Sequence, residues 1–189
     1  MQKDNKPDTL DTKEKILRGS ANLFSERGYF GVSMDEIALN IGISKATLYY
    51  HFESKESILN ILVTDACTEL KSELSATIDK SKLPSDYVLN IVLTILNFRL
   101  KHPEITLLNS FGFSTDSKVP ALQFMVETRT ELMKFIRDLL TGTNIFRKFT
   151  YNVMQVVIVN ILSFTLNPFM EVKKNNENTA ERFTKLINV

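Results

Sequence analysis

Along most of the chain, apolar residues recur three and four apart, the period of helices with one buried face. After a polar arm, Met1 to Leu10, the first such run is Ile16, Leu17, Ser20/Ala21 and Phe24, with Leu23 beside it. Asp11 or Thr12 can cap this helix, since Asp11 and Glu14 have capping-box spacing, and Gly28 supplies its stop with Tyr29 and Phe30 packed beneath. A second, short pattern opens at Ser33, with Glu36 completing another capping box, carries Ile37, Ala38 and Ile41, and ends at Gly42. Ala38 is small where two helices would cross, and Gly42 permits positive φ in a tight turn. Ser44 caps a third pattern, in which Leu48 and Phe52 point inward with Ile43.

Ser54 caps a fourth, longer helix with Ile58, Leu59, Leu62, Val63, Ala66, Cys67, Leu70, Leu74 and Ile78 on its apolar stripe. That stripe exceeds what three short helices can cover, so it is expected to run on into a second domain. Lys80 to Pro84 breaks it. A fifth helix is expected over Asp86 to Lys101, a sixth from His102-Pro103 to about Phe111, a polar loop over Gly112 to Lys118, and a further helix over Val119 to Leu140. Phe149 to Leu166 is β-branched in part but too long for an ordinary strand. It reads as a helix apolar nearly all round, with one face on a partner chain. Lys173 to Asn178 reads as a loop, and Thr179 to Ile187 as a short last helix. The fold class is all-α, with domains at 1–54 and 55–189.

Composition narrows function less than pattern does. The 189 residues are 43% hydrophobic and 24% charged, with a net charge of +1, so no global basic field announces nucleic acid. The first sixty residues carry eight basic against nine acidic side chains, so any case for DNA there rests on local geometry. One cysteine, Cys67, allows no internal disulfide and suits a reducing cytosol. Met1 to Asp11 has no apolar stretch of the signal-peptide kind. Val153 to Leu166 is too short and too polar for a bilayer span, so a soluble, cytoplasmic protein with no membrane partner is expected.

Two short helices joined by a glycine turn, Ser33 to Lys55, have the form of a helix-turn-helix, whose second helix enters the major groove. At about 100° per residue, Ala46 and Tyr50 lie opposite the Leu48–Phe52 face, flanked by Lys45, Thr47, Tyr49 and His51. Lys45, Ala46 and Tyr50 are the base-edge candidates: Lys donates to guanine, Tyr reaches a base edge or thymine methyl, and Ala permits close approach. Thr47, Tyr49, His51 and Lys55 are assigned to phosphates, and Ser33 joins them because the start of a helix presents amide N–H groups. The bland alternatives are solvated helix positions for the row and plain capping for Ser33. His51 has no Cys, His or carboxylate cluster at ligand spacing, so no metal is expected there. Cys67 lies on an apolar stripe and reads as core.

Residues 13–59, KEKILRGSANLFSERGYFGVSMDEIALNIGISKATLYYHFESKESIL, resemble the tetracycline-repressor (TetR/AcrR-like) family of bacterial transcriptional regulators. The run from Ile37 to Glu56, with its Gly-Ile-Ser-Lys-Ala-Thr-Leu-Tyr-Tyr-His-Phe core, carries that resemblance. It implies a three-helix DNA-binding head, a helical ligand domain and a homodimer formed mainly by the last two long helices. His102, before a proline at a helix start, reads by default as a surface or capping histidine; the resemblance also implies a pocket between helices, near the domain hinge, where it could hydrogen-bond. Ten of the thirteen phenylalanines lie beyond residue 60. Phe98, Phe111, Phe113 and Phe124 are candidate linings of a largely apolar effector site, with Asn97, Asn109 and Gln123 as polar contacts.

The reading is a ligand-responsive repressor released from a palindromic operator by a small-molecule inducer. The alternative is a sensor or carrier whose head has lost DNA binding, which the head's negative charge favours. A helical enzyme is the third class, and no catalytic constellation or cofactor motif supports it.

Overall fold

In the computed structural model, residues 9–77, 84–109, 118–142, 158–163 and 165–167 are described. Among them the regular elements are helices and 3-10 turns, with no strand. Helix α1 (Thr9–Arg27) is followed by a 3-10 turn at Tyr29–Gly31, then α2 (Met34–Ile41), α3 (Lys45–His51), α4 (Lys55–Thr77) and α5 (Pro84–Lys101). A second 3-10 segment, Pro103–Asn109, leads to α6 (Pro120–Thr141), and residues 158–163 are again helical.

The three-helix head forms as its spacing predicts, with two refinements. Helix α1 already starts at Thr9, ahead of the expected cap at Asp11 or Thr12, and Glu14 pairs with Arg18 one turn on. Its buried face is Ile16, Ser20, Ala21, Leu23 and Phe24. Helix α1 meets α2 tightly at Gly19: a Cβ there would lie 2.6 Å from Cγ1 of Ile41. A helix-interior glycine costs about 1 kcal/mol of propensity relative to alanine; here it gives Ile41 its place.

Helix α4 carries the head's core into the body. At 1.5 Å per residue its 23 residues span about 35 Å. Ile58, Leu59, Leu62, Val63, Ala66, Cys67, Leu70 and Leu74 are buried along it, as the stripe predicts. One contiguous cluster runs from Ile16 in α1 through α4 to Leu140 in α6 and Leu166. Cys67 belongs to this core, where burial pushes its thiol up to about 12, well away from the reactive range. Among the described residues no helix is long and apolar enough to cross a membrane.

The expected sixth helix is corrected. Pro103–Asn109 winds as a 3-10 segment in which Glu104, Ile105, Thr106, Leu107 and Leu108 are buried in succession. It packs on α1, α4, α5 and α6 together. A segment enclosed on every side has no solvent face to set an α-helical period, and the Ile105 N–H donates to the His102 carbonyl at 3.2 Å, an i→i+3 bond. Helix α6 keeps its predicted span and buries Ala121, Met125, Arg129, Leu132, Ile136 and Leu140 at three- and four-residue spacing. Of the expected apolar helix Phe149 to Leu166, Ile158, Ile161, Leu162, Thr165 and Leu166 are buried. The expected arm, Met1 to Leu10, is shortened because Thr9 and Leu10 already belong to α1. Its residues 1–8, residues 112–117 of the expected loop, residues 149–157 of the expected apolar helix, the loop at 173–178 and the helix at 179–187 lie outside the described residues.

Candidate nucleic-acid interface

The local chemistry of the head fixes its two short helices at both ends. Ser33 caps α2: its hydroxyl accepts from the Glu36 N–H at 3.2 Å, while its own backbone N–H donates to Glu36 Oε2 at 2.8 Å. The Ser33 N–H and the Ser33 hydroxyl, which also donates to Glu36 Oε2 at 2.8 Å, hold the Glu36 carboxyl below its usual range, with Arg27 at 3.6 Å adding to the effect. Gly42 closes α2 in the left-handed region at φ 76°, and its N–H donates back to the Ala38 carbonyl at 3.0 Å. Ser44 caps α3 by accepting from the Thr47 N–H at 3.0 Å, a bond worth about 1 kcal/mol. Leu48 and Phe52 are buried, which locks the rotation of α3 on the head.

With that rotation fixed, Lys45, Ala46, Tyr49 and Tyr50 are exposed, and Tyr50 is 80% exposed. Thr47 and His51 are half-buried on the flanks. The Thr47 hydroxyl lies 2.7 Å from that of Ser44, and the His51 ring meets Tyr50 edge-on at 5.2 Å. The outward row is therefore as the sequence placed it. One member was missed: Leu39 on α2 is 82% exposed, a large apolar side chain left on the surface of the head. Its position, two residues past the buried Ile37, is signal enough, because about 200° of helical rotation turns it to the opposite face.

Two lysines are engaged within the protein in ways the spacing does not reveal. The Lys45 ammonium lies 2.7 Å from Asp35 Oδ1, bridging α3 to the first turn of α2, and that bond raises the Lys45 pKa. Both side chains are exposed, so the pair is weakly held in water and can be exchanged for another anion. Lys55 is expected at a phosphate, yet its ammonium is turned inward. It donates to the carbonyls of Tyr29 at 2.9 Å and Val32 at 2.7 Å and sits 4.2 Å from the Tyr29 ring centre. Burial pulls its pKa down, while Glu56 and Glu36 push it back up.

The expected effector residues are dispersed. Phe98 is fully buried and stacked on His102, 4.3 Å between ring centres. Asn97 and Gln123 face solvent, Asn109 is half-buried, and Phe111 and Phe113 lie outside the described residues. Phe124 borders a cavity of about 240 Å³ between α4 and α6, with Thr64, Cys67 and Lys71. A larger cleft of about 460 Å³ lies where α1, α4 and the end of α5 meet. Its walls mix charged side chains, including Arg18, Asp65, Glu69 and Lys101, with apolar ones such as Leu17 and Leu62. His102 stands on that wall with Glu104 3.1 Å from Nδ1 and Glu69 3.4 Å from Nε2, so this histidine ties α4 to the 3-10 segment.

Residues 16–61 match the model of bacterial regulatory proteins of the tetR family. Over 46 residues the chain is 54% identical to the negative transcriptional regulator IcaR of the biofilm operon icaADBC from Staphylococcus aureus, strain Newman. The Staphylococcus epidermidis regulator of the same name is 48% identical over the same length. Each match covers 24% of this chain and 25% of the relative, so the likeness spans a quarter of those proteins. Solved structures extend the likeness of fold to the rest. A TetR-family transcriptional regulator from Bordetella parapertussis 12822 superposes with a TM-score of 0.73 at 19% identity, covering 95% of this chain and 97% of that one. PfmR from Thermus thermophilus, a TetR-family regulator, gives 0.69 at 21% identity over 93% and 94%. AibR, solved with isovaleryl coenzyme A and operator DNA, gives 0.69 at 20% identity over 92% and 96%. The head thus matches the tetR family of bacterial regulatory proteins in sequence over residues 16–61, and the chain as a whole shares the fold of solved TetR-family regulators.

Proposed function

We propose that this protein is a ligand-responsive transcriptional regulator, a homodimeric repressor that leaves a palindromic operator when a small molecule binds its body. The observation that carries the reading is the fixed outward row on α3, where Lys45, Ala46 and Tyr50 stand clear of the head while Leu48 and Phe52 hold the helix in place. Those three are the base-edge residues, joined by Leu39 as an apolar contact for a thymine methyl or sugar. Ser33, Thr47, Tyr49 and His51 serve the phosphates and set register. Domains 1–54 and 55–189 divide the work, with α4 common to both. A regulator of chromosomal genes works in the cytoplasm, where its DNA is.

Two heads related by a twofold axis engage half-sites a helical turn, or a multiple of one, apart. An effector favours release by its differential affinity for a body conformation that moves α4 and changes the spacing of the heads. That AibR was solved with both an acyl coenzyme A and operator DNA supports coupling of this kind on the shared fold. Selection of bound duplexes from a random pool tests the reading: a palindrome should emerge. A pool that stays random would favour the sensor or carrier with a degenerate head.

A further inference from the structure

The peptide unit between Val32 and Ser33 is held from both sides. Its carbonyl accepts from Lys55 Nζ at 2.7 Å, and its N–H donates to Glu36 Oε2 at 2.8 Å. It leads into the Ser33 cap of α2, so its orientation bears on where that cap and the first amides of the helix point. The chain from Gly28 to Ser33 is one 3-10 turn and its flanks, so the carbonyls of Tyr29 and Val32 take donors from elsewhere in the fold. Lys55, the first residue of α4, supplies two of them, at Tyr29 and Val32. Its ammonium lies over the Tyr29 ring, 4.2 Å from the ring centre, and is partly desolvated there.

We propose that Lys55 is a positioning residue for DNA binding: it fixes the Val32–Ser33 peptide to the start of α4 and acts through Ser33, not by contacting a phosphate itself. This rests on the function proposed above. A half-buried lysine drawn to two carbonyls and an aromatic face has two of its three donors engaged within the protein. The same two bonds carry any displacement of α4 directly into the N-terminus of α2.

Salt dependence separates positioning from contact. Each lost phosphate contact reduces the slope of log K against log salt by about 0.9. The test is fluorescence anisotropy of the full-length Lys55→Met variant on the duplex selected from the random pool, across a salt series. Circular dichroism confirms that the variant is folded. The expected result is an affinity roughly tenfold lower, the size of one lost charge-assisted bond, with the slope unchanged. Adding Ser33→Ala should then cost less than it does in the parent, because both changes disturb one element. Lys55→Gln, neutral but able to donate one bond, should recover part of the affinity, and it carries the same test if Lys55→Met does not fold. A slope shallower by about 0.9 per head would show Lys55 on a phosphate and overturn the proposal. Parent-like affinity in a folded variant would overturn it too. Failure of the parent to bind any duplex with salt dependence would instead refute the functional reading.

Discussion

At the scale of single residues, the proposed DNA face of the head is held close to electrical balance by pairs that spacing alone does not disclose. Asp35 and Glu36 lie in the first turn of α2, beside the place assigned to a phosphate, and Lys45 is bound to Asp35. Asp35→Asn should free the Lys45 ammonium and remove a repulsive charge. The expected outcome is tighter DNA binding of every sequence and a steeper salt slope, read from a salt titration on both operator and scrambled duplexes. Glu36 has a different sensitivity. Its folded-state pKa is depressed, chiefly by the Ser33 N–H, so its stabilising effect is present above the ordinary carboxylate range and is lost as pH falls through the depressed value. Glu36→Gln should therefore be less stable than the parent at neutral pH, and the two should converge on acidification when thermal melts are compared across pH. The outward direction of Ala46 and Tyr50 was legible because it depends only on helical rotation and two buried residues. The inward turn of Lys55 was not, because its partners lie twenty-six and twenty-three residues away in sequence.

At the scale of elements, what the sequence made legible is what short-range chemistry decides. The capping box at Ser33, the cap at Ser44 and the turn at Gly42 all involve neighbours within a few residues, and each forms as its spacing predicts. Gly42→Ala should cost about 1–2 kcal/mol, the penalty of a side chain in the left-handed region. A Cβ at Gly42 meets nothing within 4 Å, so the loss is conformational and not steric. Urea unfolding checks it, with a lower midpoint and unchanged m expected. The segment after His102 shows the opposite case. Its proline start and apolar run fit an α-helix, but burial from all sides favoured the tighter winding, which no local signal encodes. The meeting of α1 with α2 at Gly19 and Ile41 is likewise tertiary, though the small residue itself stands in the sequence.

For the whole molecule, the continuity of the core matters more than its net charge. Head and body share α4, and the buried cluster does not break between them. A repacking of the body that moves α4 therefore reaches the head through apolar contact and through Lys55, while His102 ties the middle of α4 to the 3-10 segment. The near-neutral chain limits nonspecific attraction to DNA, so in the proposed function sequence preference falls to the α3 row. The effector site was the least legible part. Apolar side chains that line a pocket and those that fill a core have the same composition, and the expected lining is dispersed, with Phe98 wholly in the core.

The central claim is that α3 reads base edges through Tyr50 and its neighbours. Its most direct test compares the full-length parent with Tyr50→Ala on the selected operator and on a scrambled duplex, at several fixed salt concentrations. Tyr50 is 80% exposed, so removing its ring leaves the head's core intact. The account predicts that the parent prefers the operator, and that Tyr50→Ala loses about 1–3 kcal/mol of that preference while keeping the parent's salt slope. A Tyr50→Ala protein that discriminates as well as the parent would contradict it.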